Sequence, residues 1–424
     1  MFQTIITFII VFSILVIIHE FGHFYFAKKA GILVREFAIG MGPKIFSHRN
    51  NGTTYTIRML PIGGYVRMAG IGDEDTELKP GMPLNITLDE EQQVIQIDLS
   101  NKQHLQAVPI ELLEADLEHA LFIEGIIPGS SEPVRYAVKR DATIIETDGT
   151  EVQIAPIDVQ YQSAPLLKRM LTNFAGPMNN FILGIAVFIA IAFVQGGVTV
   201  NESRLGEIQP DSPAEAAGLR ENDEVLAVNG DATADWTELV TSIQANPGNQ
   251  ITLTVVTDGE EARDVLVTPD TKTDEQGNEY GLIGVAVPMD RTLMAKISYG
   301  FKEFWVIATS IFGLVFAMFR TGFQADSFGG PVAIYAATEQ VVDYGFLSVL
   351  SFLAYLSINL GVVNLLPIPA LDGGKLLLNL VEGIRGKPLD PEKEGIITAI
   401  GMGLLLLLMV IVTWNDIQRF FFGQ

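Results

Sequence analysis

Long apolar runs alternate with polar stretches along the chain, and this pattern predicts the main elements. The first run covers residues 4–27. At about 1.5 Å per residue, a helix of this length crosses a hydrocarbon core of about 30 Å. Three later runs are similarly apolar, at residues 181–194, 345–366 and 395–413. We therefore predict four transmembrane helices.

A fifth apolar stretch, residues 301–320, is better explained as an interfacial or packed helix. Counting it as a span would place four basic residues outside the membrane, against the tendency of Lys and Arg to stay in the cytoplasm. These residues are Lys375, Arg385, Lys387 and Lys393.

Basic residues also orient the first span. Lys28, Lys29 and Arg35 follow it, which places its C-terminal end in the cytoplasm and the N-terminus outside. Four spans then return the C-terminus to the outside. A cleaved signal peptide would need a basic region before the apolar run and a small-residue cleavage site after it, and neither is present.

The polar stretches predict β-rich units. Residues 35–70 combine aromatic and β-branched residues with glycine, which favours either a small sheet or a plain cytoplasmic hairpin. In the charged stretch that follows, Asp148-Gly149 is a strong two-residue hairpin signal between two strand-like segments. Further on, Ser212-Pro213-Ala214-Glu215 is a capping box that predicts a short helix within an acidic globular stretch.

Composition narrows the classes of function. Apolar residues make up 48% of the 424 residues, which fits a membrane protein with sizeable aqueous parts. The formal net charge of −23 argues against nucleic acid as a partner, because phosphates would be repelled. The chain has no cysteine, so any metal site must use nitrogen or oxygen ligands.

A metal-binding motif lies inside the first apolar run. His19 and His23 are four residues apart, so on a helix they share one face and can turn a ring nitrogen to one ion. Glu20 lies beside them, where a general base of a metalloprotease would take a proton from water. Two buried histidines satisfied by hydrogen bonds are the alternative, but such polar groups are costly inside a membrane segment.

Catalytic zinc normally takes a third protein ligand. Three other histidines, His48, His104 and His119, lie in polar sequence between the first two spans, so a ligand at membrane depth is better sought in an apolar segment. Asp372 follows two prolines at the end of such a run, where the helix must break. Breaks at membrane depth are tolerated where they line a cavity. Asp372 is therefore the candidate, although Asp-Gly is also ordinary turn chemistry.

These two motifs together resemble the site-2 protease family of intramembrane zinc metalloproteases, and specifically its bacterial regulator-of-sigma-E protease branch. The sequences on which this resemblance rests are H-E-F-G-H at residues 19–23 and N-x-x-P-x-P-x-L-D-G at residues 364–373. The resemblance implies that His19, His23 and Asp372 bind Zn2+ and that Glu20 is the catalytic base. It also implies substrate-binding roles for further positions, namely Asn364, Pro367, Pro369, Gly40 and Gly42.

The acidic stretch after the second span is similar to a PDZ domain. Its sequence S-P-A-x-x-A-G-L-x-x-x-D-x-V-L-x-V-N-G begins at Ser212, and the family carries such a module outside the membrane. In the circularly permuted bacterial form, Gly281, Leu282, Ile283 and Gly284 would form the loop that holds a peptide end. The alternative is that these four residues are simply another strand.

The predicted fold class is an α-helical membrane protein. It has four transmembrane helices, a membrane-associated β-hairpin region, a cytoplasmic β-rich insert and one extracytoplasmic PDZ domain. The predicted boundaries are 1–30 for the first helix, 31–70 for the β region, 71–170 for the insert, 171–197 for the second helix, 198–290 for the PDZ-like domain, 291–344 for interfacial helices, 345–392 for the third helix with its broken end, and 393–424 for the fourth helix and tail.

The resemblance implies an endopeptidase in a bacterial cell membrane. Its substrates would be pre-trimmed single-span proteins, such as anti-sigma factors, and remnant signal peptides.

A metal transporter would need more polar residues along the spans, and a catalytically silent PDZ scaffold would keep both motifs only by descent. The external domain would either exclude long-tailed substrates or recruit trimmed ones, and the sequence leaves both open.

Overall fold

The structure is a computed structural model that describes residues 1–71, 78–100, 107–130, 132–257, 260–274, 276–322 and 329–422. It divides into two compact units. The first comprises Met1–Val187 with Glu303–Gln424, and the second Phe188–Lys302. His104 lies outside the described residues.

The helices and strands have the following bounds, each set given in chain order. The helices are α1 (Phe2–Ala30), α2 (Leu166–Val194), α3 (Pro213–Ala216), α4 (Trp236–Gln244), α5 (Leu293–Thr321), α6 (Pro331–Asp343), α7 (Phe346–Asn364), α8 (Asp372–Arg385) and α9 (Pro391–Phe421). The strands are β1 (Val34–Asn50), β2 (Thr53–Met68), β3 (Pro83–Leu88), β4 (Val94–Asp98), β5 (Val108–Asp116), β6 (Phe122–Ile126), β7 (Pro133–Ile145), β8 (Glu151–Gln153), β9 (Val198–Thr199), β10 (Glu224–Val228), β11 (Asp231–Ala232), β12 (Ile251–Val256), β13 (Arg263–Val267), β14 (Asp270–Thr273), β15 (Glu279–Leu282) and β16 (Met289–Asp290).

Within the described residues, five helices are long and apolar enough to cross a membrane: α1, α2, α5 over Leu293–Met318, α7 and α9 over Glu392–Phe420. The chain is therefore a multi-pass membrane protein by the length and composition of its helices. Helix α5 is one continuous helix over the stretch predicted to be interfacial, so length and composition alone do not establish a count of four. Helix α2 begins at Leu166, before the predicted boundary at 171, and carries Pro177 inside it. Neighbouring helices can satisfy the backbone group that a membrane proline leaves free.

Strands β1 and β2 form a strongly bent antiparallel pair. Both ends of β2 pair with the same part of β1, so Ala38 faces Tyr65 on one side and Thr56 on the other. Gly40 and Gly42, with φ of 85° and 83°, lie where the register shifts. A β-carbon on Gly40 would lie 2.5 Å from the carbonyl oxygen of Leu60, so glycine allows the two strands to approach there.

Strands β3 to β7 close into a small barrel, which we call the β3–β7 barrel. Strand β4 pairs with β3 on one side and with β7, in parallel, on the other. Fully buried aliphatic residues fill its interior, namely Ile86, Ile97, Leu112, Ile123, Ile144 and Ile154. Strand β8 pairs with β7 across the turn at Asp148-Gly149. The barrel packs on the hairpin base, where Arg67 pairs with Glu146 at 2.6 Å.

The second unit has its own core. Strands β10 to β13 form a four-stranded sheet in the order β11-β10-β12-β13. Leu205, Leu239 and Leu253 are fully buried beside it. Helix α3 begins as the capping box predicts, because the Ser212 side chain accepts a hydrogen bond from the backbone N–H of Glu215 at 3.2 Å.

Candidate metal centre

One helix positions two of the predicted ligands. Helix α1 is unbroken through His19 and His23, so one turn separates the two rings and both lie on its buried face. Their residues are 8% and 7% exposed, in contrast to Phe21 at 47%. The two Nε2 atoms lie 3.2 Å apart. Each ring therefore directs its Nε2 atom toward the same point.

Helix α2 holds the far nitrogens of these rings. Nδ1 of His23 donates to the carbonyl oxygen of Thr172 at 2.8 Å. The Asn180 amide lies against Nδ1 of His19 at 3.2 Å. A hydrogen on that Nδ1 requires an acceptor, so the amide must turn its oxygen toward the ring. That Oδ1 otherwise has no partner among the described residues. Both rings are then oriented with Nε2 free to act as a ligand.

Asp372 reaches the histidines from a break between α7 and α8. Helix α7 ends at Asn364, and Asp372 is the first residue of α8. Ala370 has φ of 80° in the connection, a left-handed conformation that is rare outside glycine. A β-carbon on Gly373 would lie 2.3 Å from the carbonyl oxygens of Leu365 and Leu366. The glycine after Asp372 is therefore needed for the chain to fold back onto the end of α7.

The three ligand atoms converge. Oδ2 of Asp372 lies 3.2 Å from Nε2 of His19 and 3.3 Å from Nε2 of His23. A tetrahedral zinc ion with bonds of about 2.0–2.1 Å needs its ligands about 3.3 Å apart. Oδ2 is buried and accepts no hydrogen bond among the described residues. The spacing, the unpaired oxygen and the facing ring nitrogens all fit a zinc ion.

A cavity of ≈290 Å³ opens beside these atoms. Glu20 lines it next to both histidines. The cavity is bounded by His19, Glu20, His23, Tyr65, Val66, Met68, Ile71, Asn173, Asn364, Ala370, Asp372 and Lys375. Open space is therefore adjacent to the candidate ligands and to a carboxylate.

Of the predicted substrate-binding residues, only some line the cavity. Asn364 lines the cavity, and its Nδ2 donates to the carbonyl oxygen of Leu360 in its own helix at 3.0 Å. Pro367 and Pro369 lie in the break and are not among the lining residues. Gly40 and Gly42 lie in β1, and the hairpin contributes Tyr65, Val66 and Met68 to the cavity instead. Their roles stay predictions.

The predicted peptide loop of the second unit is partly strand. Gly281 and Leu282 belong to β15 and pair with Thr271 and Asp270. Ile283 is buried, and its carbonyl oxygen accepts from the N–H of Ala214 at 2.9 Å. Gly284 has φ of 77°. The loop role of these four residues also stays a prediction.

A buried carboxylate organises the hairpin beside the cavity. Glu36 is 1% exposed and accepts from Thr56, Arg58 and Tyr65, at 2.5, 2.8 and 2.8 Å. Burial, followed by the Glu36 charge, raises the pKa of the Tyr65 hydroxyl. Tyr65 therefore stays neutral and keeps donating, which holds its ring at the cavity wall.

Several site residues had no clear signal in the sequence. Thr172 and Asn180 orient the histidines from α2, and Asn173 and Lys375 line the cavity. The N-F-x-G-P-x-x-N stretch at 173–180 contains two of them. That pattern resembles the second span of the site-2 protease family, and polar residues inside an apolar helix are a further signal.

The chain is similar to a known family of peptidases. Residues 7–408 match the family described as Peptidase family M50. "Probable protease eep" of Enterococcus faecalis is 54% identical over 424 residues, covering 99% of this chain and 100% of that protein. A "Putative zinc metalloprotease" of Lactococcus lactis subsp. lactis is 48% identical over 435 residues, covering 99% and 100%.

Solved structures match a part of the chain. The PDZ domain of an SdrC-like protein from Listeria monocytogenes covers 21% of this chain and 90% of that chain, at 19% identity and a TM-score of 0.18.

Proposed function

Because the chain belongs to peptidase family M50, we propose that it is an intramembrane endopeptidase that hydrolyses peptide bonds in the transmembrane segments of single-span proteins. The expectations of a metalloprotease, of its family and of zinc as the cofactor are confirmed by the family match and the zinc metalloprotease relatives. The convergence of His19, His23 and Asp372 beside Glu20 supports the proposed roles of these individual residues.

We assign the roles as follows. His19, His23 and Asp372 would hold zinc, which supplies Lewis-acid chemistry that polarises the scissile carbonyl. Glu20 accepts a proton from the attacking water and returns it to the departing amine nitrogen. Glu20 lines the cavity beside both histidines, which places it for this role. Thr172 and Asn180 keep both rings turned correctly throughout.

An extended substrate can be held by the hairpin. Residues 64–68 of β2 pair with β1 on one side, and no strand pairs with their other edge within the described part of the chain. Tyr65, Val66 and Met68 line the cavity from this segment. A peptide added to that edge would lie extended beside Glu20, as strand addition requires. Asn364 is then available to bind its backbone from the opposite element.

Helix directions favour four crossings. Helix α2 runs antiparallel to α1, since Thr172 contacts His23 while Asn179 donates to the carbonyl oxygen of Ile18 at 3.0 Å. Helix α7 runs antiparallel to α2, since Ser357 donates to the carbonyl oxygen of Asn180, while a β-carbon on Gly361 would lie 3.1 Å from the carbonyl oxygen of Pro177. Helices α1 and α7 are therefore parallel, so the chain between α2 and α7 must cross an even number of times.

The intervening helices decide between zero and two crossings. Helix α6 has 13 residues, about 20 Å in length, which is short for a core of about 30 Å. Because the number of crossings between α2 and α7 is even and α6 does not supply a second one, α5 cannot supply a first. We therefore propose that α5 and α6 do not span, and that both termini lie outside, as the basic residues after α1 indicate.

The substrate class rests on the family resemblance. We propose pre-trimmed single-span proteins, such as anti-sigma factors, and remnant signal peptides as substrates. A transporter is less well supported, because the described residues contain one group of His, Asp or Glu able to hold an ion. An ion pathway needs several polar stations across the membrane.

Cleavage by the Glu20→Gln variant tests the enzyme assignment. Both full-length proteins are purified with zinc, placed in liposomes and given one single-span substrate with a short external tail. The amide cannot accept a proton, so we expect the cleavage rate to fall by about 10²- to 10⁴-fold while zinc content is unchanged. Cleavage by Glu20→Gln at the parental rate would remove Glu20 from this role, and no cleavage by the parent would reject the substrate class.

Single cysteines test the topology, because the native chain has none. A cysteine at Asp148 or Lys387 should react with an impermeant maleimide only after the membrane is opened. A cysteine at Asn246 should react on intact cells. Labelling of Lys387→Cys on intact cells would require one more crossing and would restore α5 as a span.

A further inference from the structure

Tyr161 lies where the chain leaves the β3–β7 barrel and approaches α2. It opens the short 3-10 helix Tyr161–Ser163 and is 7% exposed. Its hydroxyl oxygen accepts from Nδ2 of Asn173 at 2.7 Å and from Nδ2 of Asn379 at 3.3 Å. Burial raises the pKa of this hydroxyl, so it stays neutral. One buried oxygen thus joins α2 and α8.

Both asparagines sit close to the supports of the metal ligands. Asn173 directly follows Thr172, whose carbonyl oxygen holds the His23 ring. Asn379 lies about two turns after Asp372 on the same helix, α8. The hydroxyl therefore bridges the helix that orients one ligand and the helix that carries another.

A charged pair strengthens the same junction. Arg169 on α2 binds both carboxylate oxygens of Glu382 on α8, at 2.9 and 2.5 Å. Its Nε donates to the carbonyl oxygen of Ala164, at the end of the Tyr161 turn. Two-point pairing of this kind restrains orientation as well as distance. The α2–α8 distance is therefore set at two successive places along the two helices, by the Arg169–Glu382 pair and by the Tyr161 hydroxyl.

The segment before Tyr161 is fixed to the barrel and the hairpin base. The Ile157 N–H donates to the carbonyl oxygen of Glu118 in the loop between β5 and β6, at 3.0 Å. The N–H of Leu33 donates to the carbonyl oxygen of Val159, at 2.9 Å. The N–H of Tyr161 itself donates to the carbonyl oxygen of Ala69, at 2.9 Å. The ring is thus held from the barrel side independently of its hydroxyl.

We propose that Tyr161 is a positioning residue through which the β3–β7 barrel sets the distance between His23 and Asp372, and so the affinity of the site for zinc. The inference rests on the proposed metal ligands. The barrel is then part of the machinery that keeps a ligand delivered by a broken helix in place. Tyr161 touches neither substrate nor ligand and acts through Asn173 and Asn379.

Zinc affinity in Tyr161→Phe tests this. The full-length variant keeps the ring and its backbone contacts but leaves two buried amide groups without their acceptor. Changes to outer-shell partners lower metal affinity by about 10- to 100-fold, and this residue is one contact further out, so we expect a loss of about three- to tenfold. Competition with a chromogenic chelator measures the affinity directly. Tyr136→Phe, in strand β7 of the barrel, is the matched control and should leave zinc affinity unchanged.

A double-mutant cycle separates positioning from general stability. Asn379→Leu should weaken zinc binding like Tyr161→Phe, and the double variant should be no weaker than the weaker single variant, because Tyr161→Phe already removes the contact that Asn379→Leu removes. A lower unfolding temperature with parental zinc affinity in Tyr161→Phe would overturn the proposal, as would additive losses. If Tyr161→Phe does not fold, parental zinc affinity in Asn379→Leu overturns it alone. Zinc affinity without any cleavage by the parent would reject the proposed function but leave this test intact.

Discussion

The proposed metal centre has two parts built in opposite ways. The histidine part is one turn of an unbroken helix, with both rings projecting from the same face of α1. The aspartate part is the first residue of α8, after a connection with Ala370 in a left-handed conformation and a backbone contact at Gly373. The first needs only helical periodicity, whereas the second needs a specific fold of the chain.

The supports of the two parts differ accordingly. Each histidine is held by one contact from α2, to Thr172 or Asn180, which sets ring orientation only. The aspartate depends on the whole placement of α8, held by the Arg169–Glu382 pair and the Tyr161 hydroxyl. A local motif therefore needs little reinforcement, and a ligand at a helix break needs reinforcement along the helix that follows it.

Asp372→Ala tests the comparison most severely. It removes the ligand from the aspartate part and leaves the histidine part unchanged, so two of three ligands remain. We expect zinc affinity to fall by more than the roughly 10- to 100-fold typical of outer-shell changes, and cleavage to be lost with it. Metal analysis after dialysis against a weak chelator measures this. Parental zinc content would mean that another residue is the third ligand.

Gly176→Ala breaks the histidine part from outside α1. A β-carbon there would lie 2.4 Å from Nε2 of His23 and 2.8 Å from Cε1 of His19, so both rings must move. We expect zinc affinity to fall about tenfold or more while the fold persists, because the clash is with side chains that can rotate. Gly403→Ala in α9, with open space around it, is the control and should change neither property. Parental zinc affinity in Gly176→Ala would contradict the ring placement.

Gly373→Ala breaks the aspartate part through its backbone. The added β-carbon meets two carbonyl oxygens at 2.3 Å, and backbone cannot rotate away. We expect a lower unfolding temperature together with a zinc loss smaller than that of Gly176→Ala, since one ligand is displaced rather than two. Gly395→Ala, which meets nothing within 4 Å, should be neutral or slightly stabilising. Reversed effects on stability between Gly176→Ala and Gly373→Ala would refute the contrast between the two parts.

Sequence alone determined the local part of this protein. A spacing of four residues places His19 and His23 on one face of any helix, and the paired prolines before Asp372 require a break wherever that segment lies. Apolar run length similarly predicts helices that can span a membrane, and the two motifs together carried the family and its zinc cofactor. These properties depend on neighbouring residues, so no knowledge of the fold is needed to see them.

Tertiary structure alone decided which distant groups meet. The approach of Asp372 to the histidines, the orientation of the rings by Thr172 and Asn180, and the bridge through Tyr161 join segments far apart in the chain. The parallel directions of α1 and α7, which bear on the number of crossings, are of the same kind. Helical and strand periodicities describe one element at a time, and packing between elements depends on side chains from several of them at once.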